Sequence, residues 1–142
     1  MKKFYLTTSI AYTNSSPHLG FALELVQADV IARYQRLLGK KVYFSTGTDE
    51  HGLKIEKIAQ ERGLSPKEFV DEIVFQYQEL TKKLNISQDD FIRTTDEKRH
   101  IPAVKKAWRI LLKNGDLYKK RYQGYYCVGC EAFWLEKDLQ GK

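Results

Sequence analysis

Hydrophobic positions along this chain change period several times, and each change predicts an element. Phe4-Tyr5-Leu6-Thr7-Thr8-Ser9-Ile10 is a β-branched and aromatic run, which predicts a buried strand over residues 3–10. Leu19, Leu23, Val26, Val30, Tyr34 and Leu37 then step by three or four, the spacing of one helix face. A helix is expected over about 17–38 with that stripe turned inward. Ser16 can cap it, Pro17 suits its first position, and Gly39 suits a left-handed end. Val42-Tyr43-Phe44-Ser45 predicts a second strand, and strand–helix–strand favours parallel pairing through a right-handed crossover. Helical patterns return over 53–62, closed by Gly63, and over about 66–84. There Ser65-Pro66-Lys67-Glu68 forms a capping box, and Phe69, Ile73, Tyr77, Leu80 and Leu84 share a face. Phe91-Ile92-Arg93 predicts a short strand. A helix opened by a second capping box, Thr94 with Glu97, is expected to run to Lys113 and stop at Asn114-Gly115. From Asp116 the texture changes to short aromatic strands with a turn at Cys127-Val128-Gly129-Cys130. The fold class is therefore α/β over 1–115, with a different unit beginning at 116 and running to 142.

Composition narrows this picture. The chain has 142 residues, enough for one real core, and its 30% charged and 42% hydrophobic residues exclude a disordered tract. No apolar run reaches the length of a membrane span. Met1-Lys2-Lys3 leads straight into a strand pattern with no signal-type core, so a cytoplasmic chain without a membrane partner is expected. The net charge of +6 suits an anionic partner such as a nucleotide or RNA. Yet the cations are scattered in pairs such as Lys82-Lys83 and Lys105-Lys106, so charge alone favours an ordinary solvated surface. In a reducing compartment, Cys127 and Cys130 read as half of a metal site rather than a disulfide.

The chemistry concentrates where the first strand breaks into a polar loop and opens a helix. Helix starts carry unpaired N–H groups and the positive end of the dipole, so they attract phosphate. Here that corner also holds an imidazole, His18, and a glycine, Gly20. Thr46-Gly47-Thr48-Asp49-Glu50-His51-Gly52 is expected just past the second strand. In open α/β sheets ligands bind at the carboxyl ends of strands, so both loops should face one crevice. Asp49 is there either a ligand for a cation or a helix cap, and His51 is expected to pack locally.

Ser16-Pro17-His18-Leu19-Gly20 resembles the first signature of class I aminoacyl-tRNA synthetases. Ile10 to Pro17, Gln27-Ala28-Asp29-Val30, Arg33-Tyr34-Gln35-Arg36, Gly47 to Gly52, Asp90 to Thr95 and Tyr126 to Cys130 are similar, in order, to the methionyl-tRNA synthetase family. The resemblance implies the first half of a Rossmann-like catalytic domain over 1–115, then the beginning of a connective-peptide insert with a zinc knuckle over 116–142. It implies ATP-dependent activation of methionine to methionyl-adenylate, with transfer to tRNA-Met, for protein synthesis. By the same resemblance His18 and Gly20 are catalytic, and Asn14, His18, Gly20 and Glu24 contact ATP, with Gly20 leaving room beneath the adenine. Ile10, Ala11, Tyr12 and Asp49 bind methionine, Asp49 taking its ammonium group and Tyr12 closing over it. ATP would come with Mg2+, and Cys127 and Cys130 would supply half of a structural zinc site.

Phe21 departs from the family, which carries a histidine there. Phenylalanine cannot donate to phosphate, so this residue either packs inward or leaves the site one donor short. No stretch resembles the second, lysine-bearing signature of the class. The resemblance therefore implies the N-terminal part of a longer enzyme, inactive by itself and without the main anticodon-binding domain. Two alternatives are a small nucleotidyltransferase using the same H-x-G-x corner, and a truncated paralogue that binds without catalysis.

Overall fold

The computed structural model describes residues 1–139. Strands β1 (Lys3–Thr7), β2 (Ala11–Tyr12), β3 (Lys41–Asp49) and β4 (Asp90–Arg93) form a 4-stranded parallel sheet. On β3, Ser45 pairs with Thr7 and with Asp90, and Thr48 pairs with Ala11 and with Arg93. A strand has two edges, so β1 and β2 follow one another along one edge and β4 occupies the other. The expected α/β class holds.

The single buried strand expected over 3–10 is corrected: it ends at Thr7, its positions alternate between exposed and half-buried, and a separate short strand, β2, follows at Ala11–Tyr12. The break has a local cause. Ser9 gives its N–H and its hydroxyl to the Glu24 carboxylate, at 2.8 Å and 2.7 Å. A polar side chain that offers the backbone another partner takes it out of the ladder. Conversely, β3 runs four residues further than expected, to Asp49, which is strand and not loop. Gly47 permits this: a Cβ there would lie 2.1 Å from the Ile92 carbonyl oxygen on β4.

Helix α1 (Leu19–Leu37) connects β2 to β3, and two expectations about it are corrected. The cap is His18, not Ser16, and Pro17 precedes the helix. The buried face is Phe21, Leu25, Ala28, Asp29 and Ala32. The stripe of larger residues is left at the surface, with Leu19 86% and Leu37 85% exposed. Both rows step by three or four. The row with alanines lies inward because Ala28 and Ala32 let the helix approach Phe44 of β3 closely.

Helices α2 (Leu53–Glu61) and α3 (Pro66–Lys83) complete the main core, in which Phe21, Leu25, Ile55, Ala59, Phe69, Val70, Ile73 and Tyr77 meet. Of the expected face of α3, Phe69, Ile73 and Tyr77 are buried, Leu80 is half-buried, and Leu84 at its end is exposed. The capping box forms: the Glu68 N–H donates to Ser65 Oγ at 3.3 Å, and the Ser65 N–H donates to Glu68 Oε2 at 2.9 Å. Ser65→Ala is expected to cost about 1 kcal/mol, read as a lowered urea midpoint with an unchanged slope.

The second expected capping box does not form. Helix α4 spans His100–Asn114, so Pro102 falls within its first turn, where its missing N–H costs nothing. Thr94 is buried, and its hydroxyl accepts the Glu50 N–H at 2.8 Å instead. Asp96 turns the chain by accepting from the N–H groups of Lys98 and Arg99. Strands β5 (Tyr125–Cys127) and β6 (Ala132–Trp134) form a separate antiparallel hairpin, as the aromatic pattern predicts, with Cys127 ending β5 and Cys130 in the turn.

Candidate active site

His18 stands at the first exposed turn of α1 with extended backbone, φ −116° and ψ 170°. Its Nδ1 accepts the Gly20 N–H at 3.1 Å and the Phe21 N–H at 3.4 Å. An imidazole that accepts through Nδ1 is the tautomer that carries its proton on Nε2. The ring therefore serves two ends at once: it satisfies the helix start and keeps one N–H donor for a ligand. Gly20 protects that arrangement, since a Cβ there would lie 3.0 Å from both Cε1 and Nδ1 of the ring.

Around His18 lies a cavity of about 290 Å³ lined by Ile10, Ala11, Tyr12, Asn14, Gly20 and Glu24, together with Ser9, Ser15, Phe21 and Tyr77. Every residue expected at the nucleotide corner is thus brought to one place. Glu24 has a definite task there, because its carboxylate anchors Ser9 and so holds the loop in position. Phe21 is 6% exposed and packs edge-on against Tyr77, with ring centroids 4.9 Å apart and planes at 81°. It is core, and it offers no hydrogen bond to the cavity.

A second cavity, of about 390 Å³, is lined by Tyr12, Asp49, His51, Gly52 and Glu131. Tyr12 is common to both cavities, and the β2–β3 register sets it directly opposite Asp49. The backbone around Asp49 is fixed by Thr13, whose N–H and hydroxyl both donate to the Asp49 carbonyl, at 3.0 Å and 3.1 Å. No side-chain hydrogen bond or ion pair engages the Asp49 carboxylate among the described residues. The helix-cap alternative for Asp49 is corrected, because the N-cap of α2 is Gly52. His51 reaches the Thr94 carbonyl at 3.3 Å, in keeping with local packing.

Two acidic residues escaped the reading of the sequence. Glu50 is buried and accepts Arg93 Nε at 2.8 Å, Arg93 Nη2 at 2.7 Å, the Thr48 hydroxyl at 2.6 Å and the Thr95 hydroxyl at 2.5 Å. It adjoins Asp49 and pins the end of β3. Glu131, in the hairpin turn, accepts from the Tyr12 hydroxyl. Burial, then the Glu131 hydrogen bond, pushes the Tyr12 phenol up to about 12, so it stays a donor at neutral pH. The only sequence signal for Glu131 is its place beside Cys130.

In the cysteine turn the Cys130 N–H donates to Cys127 Sγ at 3.3 Å. The Cys130 N–H draws the Cys127 thiol down, and Cys127 pushes the Cys130 thiol up. Structural zinc takes four ligands. Among the described residues no cluster of three or more His, Cys, Asp or Glu could hold a metal, so these thiols alone do not complete a site. No helix among the described residues is long and apolar enough to cross a membrane.

The chain is 50% identical over 138 residues to the methionine--tRNA ligase of Clostridium tetani, and 50% identical over 137 residues to that of Thermotoga maritima. These alignments cover 97% and 96% of this chain but 21% and 22% of those proteins, so the chain spans about a fifth of their length. The structure of Mycobacterium tuberculosis methionyl-tRNA synthetase in complex with methionyl-adenylate superposes with a TM-score of 0.92 at 44% identity, over 99% of this chain and 27% of that one. The profile of the family described as tRNA synthetases class I (M) matches residues 4–142. With the helix-start histidine and the strand-end aspartate on either side of Tyr12, and the profile matched from β1 through the hairpin, this chain belongs to the class I (M) tRNA synthetases.

Proposed function

We propose that the chain supplies the methionine- and ATP-binding corner of a methionine–tRNA ligase, within a longer cytoplasmic enzyme that serves translation. The observation that carries this is the β2–β3 register. It sets a strand-end carboxylate, Asp49, across from Tyr12, while the start of α1 opens on the other side of the same phenol. A carboxylate suits an ammonium group, and a helix start with an imidazole donor suits phosphate. An amino acid held at the first and a nucleotide held at the second bring carboxylate and α-phosphate together.

The reaction asks little covalent help of the protein. The methionine carboxylate is already ionised, so it attacks the α-phosphorus without a general base. The bond to pyrophosphate breaks as the new acyl–phosphate bond forms. What remains is positioning and stabilisation of charge on the phosphate oxygens. His18 Nε2–H and the N–H groups at the start of α1 are the donors this chain offers. Asp49 and Tyr12 hold the amino acid, with Ile10 and Ala11 beside them, and Asn14 lines the nucleotide side. Mg2+ would arrive with the triphosphate and neutralise part of its charge. Zinc at Cys127 and Cys130 would order the hairpin, with the remaining ligands coming from elsewhere. Transfer to tRNA-Met is the second step of the proposed activity.

The test is ATP–pyrophosphate exchange by the full-length protein that carries this chain. Exchange that does not depend on methionine overturns the proposal. Asp49→Ala is expected to raise the KM for methionine by about ten- to a hundredfold while that for ATP changes little. Equal loss for both substrates would mean that Asp49 serves only to hold the strand end.

A further inference from the structure

We infer that Glu131 is a positioning residue of the amino-acid pocket: from the C-terminal hairpin it holds the Tyr12 phenol in place beside Asp49. The inference rests on the proposed methionine site. The Tyr12 hydroxyl donates to Glu131 Oε2 at 2.9 Å and Oε1 at 3.1 Å, across 119 residues of sequence. The Lys54 N–H, in the first turn of α2, donates to the same Oε1 at 3.1 Å across 77 residues. The carboxylate is thus fixed by two elements of the main fold at once.

Helix α2 has need of that carboxylate. Its N-cap, Gly52, has no side chain to offer. No other residue fits there, since a Cβ would lie 2.1 Å from the Tyr12 hydroxyl and 3.1 Å from Glu131 Oε1, at a φ of +153°. The space of the usual cap is occupied by the tyrosine, and the anion that a helix start favours comes from the hairpin instead. Glu131 itself is non-glycine at φ 52°, a costly conformation that persists where surroundings hold it. Tyr12, for its part, sits on a strand of 2 residues and has no other side-chain hydrogen bond among the described residues. Without Glu131 its ring is free to leave the wall shared by both cavities.

The experiment uses the full-length protein. Glu131→Ala is expected to raise the KM for methionine about ten- to a hundredfold, with kcat and the KM for ATP little changed. Glu131→Gln, whose amide oxygen can still accept from Tyr12, is expected to recover most of that loss. In a Tyr12→Phe background, Glu131→Ala should add nothing further. An unchanged methionine KM in Glu131→Ala, or full additivity with Tyr12→Phe, overturns the inference. Urea denaturation of the same four proteins reads the contact without substrate: non-additive effects support the hold, and additive ones overturn it. Wild-type exchange without methionine dependence overturns the reading of the site, and the denaturation cycle then still judges the Tyr12–Glu131 hold by those two outcomes.

Discussion

Glu50→Ala is expected to lower stability by about 2–3 kcal/mol, the cost of losing charge-assisted hydrogen bonds and leaving buried donors without their acceptor. The Glu50 side chain is fully buried, and its carboxylate takes the Arg93 guanidinium through two nitrogens together with two threonine hydroxyls. Arg93 keeps Asp71 at 2.5 Å when Glu50 is removed, but Thr48 and Thr95 lose their acceptor. Glu50→Gln preserves the volume and some hydrogen bonds, so it should cost less. Urea denaturation at neutral pH separates the two, and a wild-type midpoint in Glu50→Ala would refute the account. The network also titrates. Burial pushes the Glu50 carboxyl up, but hydrogen bonds from Arg93, Thr48 and Thr95 outweigh it and hold the group below its ordinary value of 4.5. A carboxyl lowered in the folded state contributes fully above its unfolded pKa and loses that contribution as pH falls through the folded one. Stability of the native protein should therefore fall in acid below about pH 4.5, and Glu50→Gln should flatten part of that fall.

His18→Ala is expected to slow adenylate formation in the full-length protein by roughly 10²–10³-fold, the usual loss when one preorganised donor to developing charge is removed. The structure gives this residue a second role that must be separated from the first. As the cap of α1 it satisfies the Gly20 and Phe21 N–H groups, so alanine should also cost about 1 kcal/mol of stability. His18→Ser makes the separation. Serine caps a helix well but cannot extend a donor into the cavity, so stability should return and rate should not. Recovery of both in His18→Ser would mean that the imidazole only caps. Phe21 sharpens the expectation: its side chain is buried against Tyr77 and donates nothing, so on the proposed function more of the phosphate binding would rest on His18.

Motifs within a few residues of one another were legible, because their geometry is local. Ser65 and Glu68 cap the same turn in the chain and in space. Ile10, Ala11, Tyr12, Asn14, His18 and Gly20 line one cavity because one short stretch of chain, from β2 to the start of α1, carries them. Hydrophobic periodicity located α1, α2 and α3 to within a few residues. It did not say which face of α1 turns inward. Two rows of that helix have helical spacing, and the row with larger side chains was the wrong choice. The extent of β3 was equally hidden, since Thr46-Gly47-Thr48 has the composition of a loop and becomes strand only between β2 and β4.

Residue order alone therefore indicated the α/β class and the parallel pairing, and placed His18 beside a helix start and Asp49 near the end of a strand. Each depends on neighbours along the chain or on rules of connection. Folding was needed to pair Tyr12 with Asp49, to close Arg93 and Thr95 around Glu50, and to bring Glu131 back to Tyr12 and the start of α2. Those contacts join residues 37 to 119 positions apart by hydrogen bonds only a few ångströms long. No periodicity encodes them; they exist because sheet register and the packing of helices on it bring distant backbone segments to fixed positions.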